Sequence, residues 1–318
     1  MNTTLIIYLY ILLALLVALA YGIAALHALW EQHRAKQRER LATTYTQQIL
    51  QAQIDDNSDR SGITAKTYAQ RLALAEAIHR IISHTYSTPT DVIRHLTAKY
   101  DLENLLLDRL RRASNTRKAQ LLDIMSSIPL SRRAIDAIAP LLGSHDRHLR
   151  IAALIATLAA SPAKAIRIVA ELPNELKPYD TSRIIALLRR GLLPIAYEPL
   201  LMSDNHNLLR LGIAITHNFG IEIADKHLHN IILRKSDPQI TREAIYALAT
   251  LGRPLGRQHI RARLSAMQPT LRRELCHHLS CEGYSLTTLR GLFAESDICH
   301  AEPLINSYKR DLICQQSN

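Results

Sequence analysis

The strongest hydrophobic pattern in the chain is an apolar stretch near its beginning. From Leu5 to Leu26 the sequence reads LIIYLYILLALLVALAYGIAAL, with no charged side chain. A helix of this length, at about 1.5 Å per residue, would be about 33 Å long and would cross a hydrocarbon core of about 30 Å. A cleaved signal peptide has a shorter apolar run and a positively charged start. We therefore predict a transmembrane anchor over residues 1–30.

Positive charge flanks only the C-terminal side of this stretch. That asymmetry predicts an N-terminus outside the cell and a cytoplasmic remainder, attached by a single pass to the inner membrane. Residues 31–62 are polar and end in turn-forming residues, which favours a juxtamembrane helix that fades into a linker.

Beyond residue 63 the apolar positions recur at helical spacing, and strand patterns are scarce. The chain has 10 Gly, 12 Pro, 2 Phe and 1 Trp among many Leu, Ile and Ala residues, a composition that suits repeated helix-on-helix packing. We predict an all-α fold. Arginines open six candidate helices at intervals of about 30 residues: Arg117, Arg150, Arg183, Arg210, Arg242 and Arg273.

Further helices fall between these six, starting near Arg133, Ala163, Asp225 and Gln258. Each repeat is therefore a helical hairpin that needs neighbours to cover its apolar face. Gly220, Gly252 and Gly283 follow three of the opening arginines by ten positions, where a left-handed residue would end the helix.

The clearest unit, SDPQITREAIYALATLG from Ser236 to Gly252, resembles the second helix of a HEAT-type repeat. The segment SHDRHLRIAALIATLA from Ser144 resembles it less closely, and the likeness weakens over residues 101–295. The resemblance implies a right-handed α-solenoid over residues 63–318, with residues 63–100 and 296–318 as its N-terminal and C-terminal caps. A globular helical bundle is the alternative fold.

The chain carries a net charge of +11 and a pI near 9.7, and the whole excess falls after residue 30. Such a charge is compatible with anionic partners, although net charge alone does not indicate a site and a solvated basic surface is the favoured explanation. The candidate binding residues are Arg253, Arg257, Arg261, Arg263, Arg272 and Arg273. A second basic run comprises Arg109, Arg111, Arg112, Arg117 and Lys118.

Metal and catalytic motifs are weak. Metal-ligand types gather at Cys276, His277, His278, Cys281, Cys299 and His300, but without a paired CxxC motif, so we predict neither a metal nor a cofactor. The sequence has no glycine-framed serine and no phosphate-binding glycine loop. Some HEAT-like proteins are bilin lyases or DNA glycosylases, and an enzyme of that type is the least favoured function here.

The leading hypothesis is a membrane-anchored cytoplasmic scaffold that binds a protein partner, such as a membrane enzyme or a recruited complex, on its helical-repeat surface. The alternative is binding of nucleic acid or anionic lipid through the arginine clusters, with nucleic acid disfavoured but open. The sequence predicts no particular oligomeric state.

Overall fold

The computed structural model describes residues 3–54, 63–84, 90–172, 175–189, 196–234, 237–299 and 301–303. Every regular element in these ranges is a helix, which confirms the all-α prediction. The chain divides into two compact units, Met1–Ala156 and Thr157–Asn318.

The predicted membrane anchor is not confirmed. In the part of the chain that the structure describes, no helix combines the length and the apolar character needed to cross a membrane. The apolar residues belong to a single helix, α1, which extends from Thr3 through a charged segment to Ile54. The predicted transmembrane helix over Leu5–Leu26, the single-pass topology and the inner-membrane location are therefore wrong.

The first unit contains the longest helix of the described chain and several shorter ones that pack against one another. Its helices are α1 (Thr3–Ile54), α2 (Tyr68–His84), α3 (Thr90–Lys99), α4 (Leu102–Arg112), α5 (Asn115–Met125) and α6 (Arg132–Ile138). A 3-10 turn, Ala139–Gly143, follows α6, and α7 (Arg147–Ala160) begins in this unit.

The C-terminal half of α1 is part of the core of this unit. Ala42, Tyr45 and Ile49 recur at helical spacing and are buried, and α1 packs along α2. The hydroxyl of Tyr45 donates to the carbonyl oxygen of Thr64, at 2.9 Å. The sequence pattern indicated a juxtamembrane extension here, whereas the helix contributes buried side chains to the fold.

The described part of the second unit is built from short helices. They are α8 (Pro162–Glu171), α9 (Pro178–Leu187), α10 (Glu198–Leu201), α11 (His206–Asn218), α12 (Asp225–Arg234), α13 (Pro238–Thr250), α14 (Gln258–Ala266), α15 (Pro269–Cys281), α16 (Leu286–Arg290) and α17 (Glu295–Ile298), with a 3-10 turn at Glu222–Ala224.

The helices of the second unit pack against helices two places along the chain, and α12 also packs against the next helix. Helix α11 contacts both α9 and α13, and α13 contacts α15, while α12 contacts α13 and α14. The predicted helices near Arg133, Ala163, Asp225 and Gln258 correspond to α6, α8, α12 and α14. The likeness to HEAT repeats remains a prediction.

Signals at the helix ends explain why these boundaries could be predicted. Asp237 caps α13 by accepting from the backbone N–H groups of Gln239 and Ile240, at 2.8 and 3.4 Å, and Pro238 occupies the first helical position. The three glycines expected to end helices have φ values of 62°, 67° and 85°, at Gly220, Gly252 and Gly283. Their left-handed backbone confirms that prediction.

Candidate functional site

A cleft of about 330 Å³ in the second unit is the leading candidate site. It is lined by residues from α9, α11, α13 and α15. The lining residues on α9 and α11 are spaced by three and four positions, which places them on one face of each helix. They are Pro178, Thr181, Ser182 and Ile185 on α9, and Arg210, Ile213, Ala214, His217 and Asn218 on α11.

Buried Arg210 joins three segments at one end of the cleft. It donates to Glu175 at 2.9 Å and to the carbonyl oxygen of Leu176 at 3.2 Å, just before α9 begins. It also donates to the side chain of Gln239 at 2.6 Å, and its Nε lies 3.5 Å from Glu243. The positive charge of Arg210 is therefore paired with carboxylates of the protein itself.

Glu243 is the carboxylate of α13 that faces Arg210. Burial raises the pKa of Glu243, and the nearby cations of Arg210 and Arg242 counteract part of that rise. Removing Arg210 would therefore leave a half-buried carboxylate without its nearest cation.

Three rings from alternate helices, α11, α13 and α15, form one wall of the cleft. The ring centroids of His217 and Tyr246 are 5.0 Å apart, and those of Tyr246 and His278 are 5.6 Å apart, with tilted planes in both pairs. The hydroxyl of Tyr246 donates to Glu282 at 2.5 Å, and Nδ1 of His217 lies 2.8 Å from Oγ1 of Thr250. These contacts fix the orientation of the rings.

The two imidazoles of this wall favour the uncharged form. Burial lowers the pKa of His217 below its ordinary value of 6.5, and the nearby Arg189 lowers it further, against the influence of Glu282. Burial lowers the pKa of His278 in the same way, with Arg242 adding to the effect. At neutral pH the wall therefore offers hydrogen-bonding groups and ring faces without net charge.

Burial also raises the pKa of Tyr246, and the hydrogen bond to Glu282 strengthens the effect. The phenol therefore stays protonated at neutral pH. Arg242, on the same helix, pairs with Glu274 of α15. The cleft thus combines an uncharged aromatic wall with arginines that already have intramolecular partners.

A cluster of three ligand-type side chains lies near Arg210. Nδ1 of His206 is 3.3 Å from Asp237 and 3.9 Å from Glu175. Asp237 uses its other oxygen to cap α13, and Glu175 accepts from Arg210. The guanidinium of Arg210 would repel a second cation there, so we assign the cluster a structural role at the helix starts.

The six arginines predicted as a binding cluster are mostly occupied by structural contacts. Arg253 pairs with Glu222 at 2.9 Å. Arg263 donates to the carbonyl oxygens of Ile232 and Leu233, at 2.9 and 2.8 Å, near the end of α12.

Two more of the six contact the buried carboxylate Asp297. Arg272 forms an ion pair with it, and Arg273 lies 3.6 Å from it. Arg257 and Arg261 are exposed, and the structure gives neither of them a hydrogen bond or a salt bridge from its side chain to a described residue. Of the six candidate binding residues, Arg257 and Arg261 are thus the two whose guanidinium groups make no such contact to the described residues.

Among the described residues, the cysteines and histidines between Cys276 and Cys299 do not form a group of three metal-ligand side chains. Cys276 is buried, and burial raises its pKa to about 11, which disfavours the thiolate that zinc requires. Cys281 is exposed, with its sulfur 3.9 Å from Nε2 of His277. His300 and Cys314 lie outside the described residues.

Sequence reasoning missed the cleft and most of its lining residues. Tyr246 and Ala214 lie in apolar stretches of their helices, a pattern typical of core residues, yet both line the cleft. The spacing of some lining residues could have indicated that they share a helix face. Arg242 and Tyr246, like Arg210 and Ala214, are four residues apart and share a helix face.

Comparison with known proteins adds little to this picture. Neither a protein-family model nor a curated protein matches the chain. One similar solved structure is the crystal structure of an engineered protein from the Northeast Structural Genomics Consortium. It has 16% sequence identity and a TM-score of 0.24, over 85% of this chain and 97% of that chain. A similarity at that TM-score carries no conclusion about fold or function.

Proposed function

We propose that the unit Thr157–Asn318 is a protein-binding module, and that its cleft accepts a short segment of a partner protein. The observation that carries this proposal is the ring wall of His217, Tyr246 and His278, which faces a cleft with Ile185 and Ile213 in its lining. Apolar surface with a few oriented polar groups is the usual composition of a recognition site.

The charge state of the cleft indicates the chemical character of the partner segment. The arginines at the cleft are paired with Glu175, Glu243 and Glu274, and the imidazoles favour the neutral form. A strongly anionic ligand would have to displace these ion pairs. An apolar or aromatic side chain, flanked by backbone groups that bond to the imidazoles and to Ser182, fits the lining better.

Binding, rather than catalysis, is the proposed role. Two of the polar groups in the cleft already have intramolecular partners, since Tyr246 bonds to Glu282 and His217 contacts Thr250. The predicted nucleic-acid or lipid role of the arginine cluster has less support, since four of its six members contact acidic side chains or backbone carbonyls.

Blocking the cleft tests this proposal. Ser182 is an exposed lining residue, so Ser182→Arg would fill the entrance without disturbing a buried contact. Ser265→Arg, at an exposed position of α14 outside the cleft, is the matched control. After cross-linking in native extracts, we expect one partner with the wild type and the control, and its loss with Ser182→Arg. Equal recovery with both variants would reject the cleft as the binding site.

A further inference from the structure

A second cleft lies within the first unit and is independent of the proposed protein-binding site. Its volume is about 530 Å³, which is in the range of small-molecule sites. Side chains from α1, the start of α2, α4 and α5 line it. Two members of the second basic run, Arg109 and Arg117, are among them.

The charge of this cleft is strongly positive. Arg38, Arg109 and Arg117 line it, and none of the described lining residues is acidic. The carboxylate of Glu76 lies 3.3 Å from Arg38. Burial raises the pKa of Glu76, whereas Arg38, Arg80, Arg109 and Arg117 all lower it. Arg80 also pairs with Glu39, at 3.7 Å, whereas Arg109 and Arg117 form no salt bridge with a described carboxylate and so leave the cleft positively charged.

Two of these arginines retain donors for a ligand. Arg109 donates to the hydroxyl of Tyr68 at 3.1 Å, a contact that holds its guanidinium in place. Arg117 is exposed and has neither a hydrogen bond nor a salt bridge to a described residue. A guanidinium presents several N–H groups in a fixed plane and can bind a phosphate through two of them.

The same cleft presents aromatic surface. Trp30 and Tyr68 both line it, with 53% and 48% of their surface exposed. Partly exposed aromatic side chains beside arginines favour ligands with planar rings, such as nucleobases. A ligand that carries only an anionic group would leave this surface unused.

We infer that this cleft binds a nucleoside phosphate, with the phosphate held by Arg109 and Arg117 and the base stacked against Trp30. Arg38 adds positive charge from α1. The inference uses only the first unit and does not depend on the proposed role of the second.

The single tryptophan of the chain provides a direct probe, because Trp30 lies in the cleft. The purified full chain would be titrated with AMP, adenosine and inorganic phosphate while the tryptophan fluorescence is measured. We expect a saturable change with AMP, and binding at least about tenfold weaker for adenosine and for phosphate, since each makes only part of the contacts.

Arg117→Ala is the test variant because the side chain of Arg117 is exposed and makes no hydrogen bond or salt bridge to a described residue. We expect it to weaken AMP binding about tenfold or more, since a charge-assisted contact is lost. The matched control is Arg111→Ala, which removes an exposed arginine that lies 3.6 Å from Asp108 and does not line the cleft. The control should bind AMP as the wild type does.

Three results would overturn the inference. The first is the absence of any fluorescence change with AMP, and the second is equal AMP affinity in the Arg117 and Arg111 variants. The third is much tighter binding of a single-stranded oligonucleotide than of AMP, which would indicate a nucleic-acid strand as the ligand.

Discussion

The hydroxyl of Tyr246 donates a hydrogen bond to Oε1 of Glu282, at 2.5 Å, and so links the middle of α13 to the residue that ends α15. The tyrosine ring also contacts His217 on one side and His278 on the other. One side chain thus orders the cleft wall across three helices.

The variant Tyr246→Phe separates the hydrogen bond from the ring packing. We expect a loss of about 1 kcal/mol in the free energy of unfolding, since the exposed Glu282 regains water once its donor is gone. Urea unfolding measures this loss. Tyr179→Phe, at a tyrosine that is 64% exposed, is the control and should be neutral. Equal effects at the two positions would show that the bond to Glu282 adds no stability.

Arg210→Met tests whether the buried arginine joins the start of α9 to α11 and α13. The change leaves Glu243 without its nearest cation and the carbonyl oxygen of Leu176 without this donor, so we expect a loss of about 3 kcal/mol. Arg257→Met, at an exposed arginine, should change stability by less than about 0.5 kcal/mol. A similar urea midpoint for both variants would contradict this role of Arg210.

The neutral imidazoles predict a pH dependence of stability. The pKa values of His217 and His278 are below 6.5 in the folded chain, so the unfolded chain takes up protons first as the pH falls. Stability is therefore complete above about pH 6.5 and decreases as the pH falls towards the folded-state pKa values.

Replacing both imidazoles tests whether these histidines cause stability to decrease as the pH falls. The double variant His217→Gln, His278→Gln should lose less stability than the wild type between about pH 7.5 and 5.5. Some loss should persist, because burial also lowers the pKa of His229. Urea unfolding at several pH values measures the two slopes, and identical slopes would mean that these two histidines are not held neutral by the fold.

Gly212 lies at a close approach between α11 and α10. A Cβ atom at this position would lie 2.9 Å from Cβ of Leu200 and 3.1 Å from the backbone nitrogen of Leu201. We expect Gly212→Ala to cost about 1–3 kcal/mol, because the backbone must move. Gly143→Ala, where nothing lies within 4 Å, should be neutral or slightly stabilising. Thermal unfolding measures the Tm of both variants. An unchanged Tm for Gly212→Ala would show that α10 can move to accommodate the methyl group without a loss of stability.

Local sequence signals predicted several helix boundaries in the second unit. Asp237 and Pro238 begin α13, and Gly252 follows its end with a left-handed backbone. Such signals act within a few residues of the position that they determine, so they can be recognised in one sequence. Local signals could not predict that the C-terminal half of α1 belongs to the core. The burial of Ala42 and Tyr45 depends on contacts with distant parts of the chain.

The candidate sites depend on pairings that local patterns do not determine. Arg242 meets Glu274, and Arg272 meets Asp297, across 32 and 25 residues of sequence. From the sequence alone, a run of arginines predicts an unpaired basic surface, because these distant acidic partners cannot be recognised. Tyr246 fits the pattern of a core residue equally well, because a helix that packs on two sides shows no polar face.

Site-specific photo-cross-linking tests the central claim that the cleft of the second unit holds a partner protein. A photoreactive residue would replace Ser182 at the cleft, or Leu233 at an exposed position of α12 outside it. We predict one saturable cross-linked species from position 182, absent from position 233 and lost when Tyr246→Ala is added to a chain that still folds. Cross-linking from both positions alike, or from neither, would contradict the account.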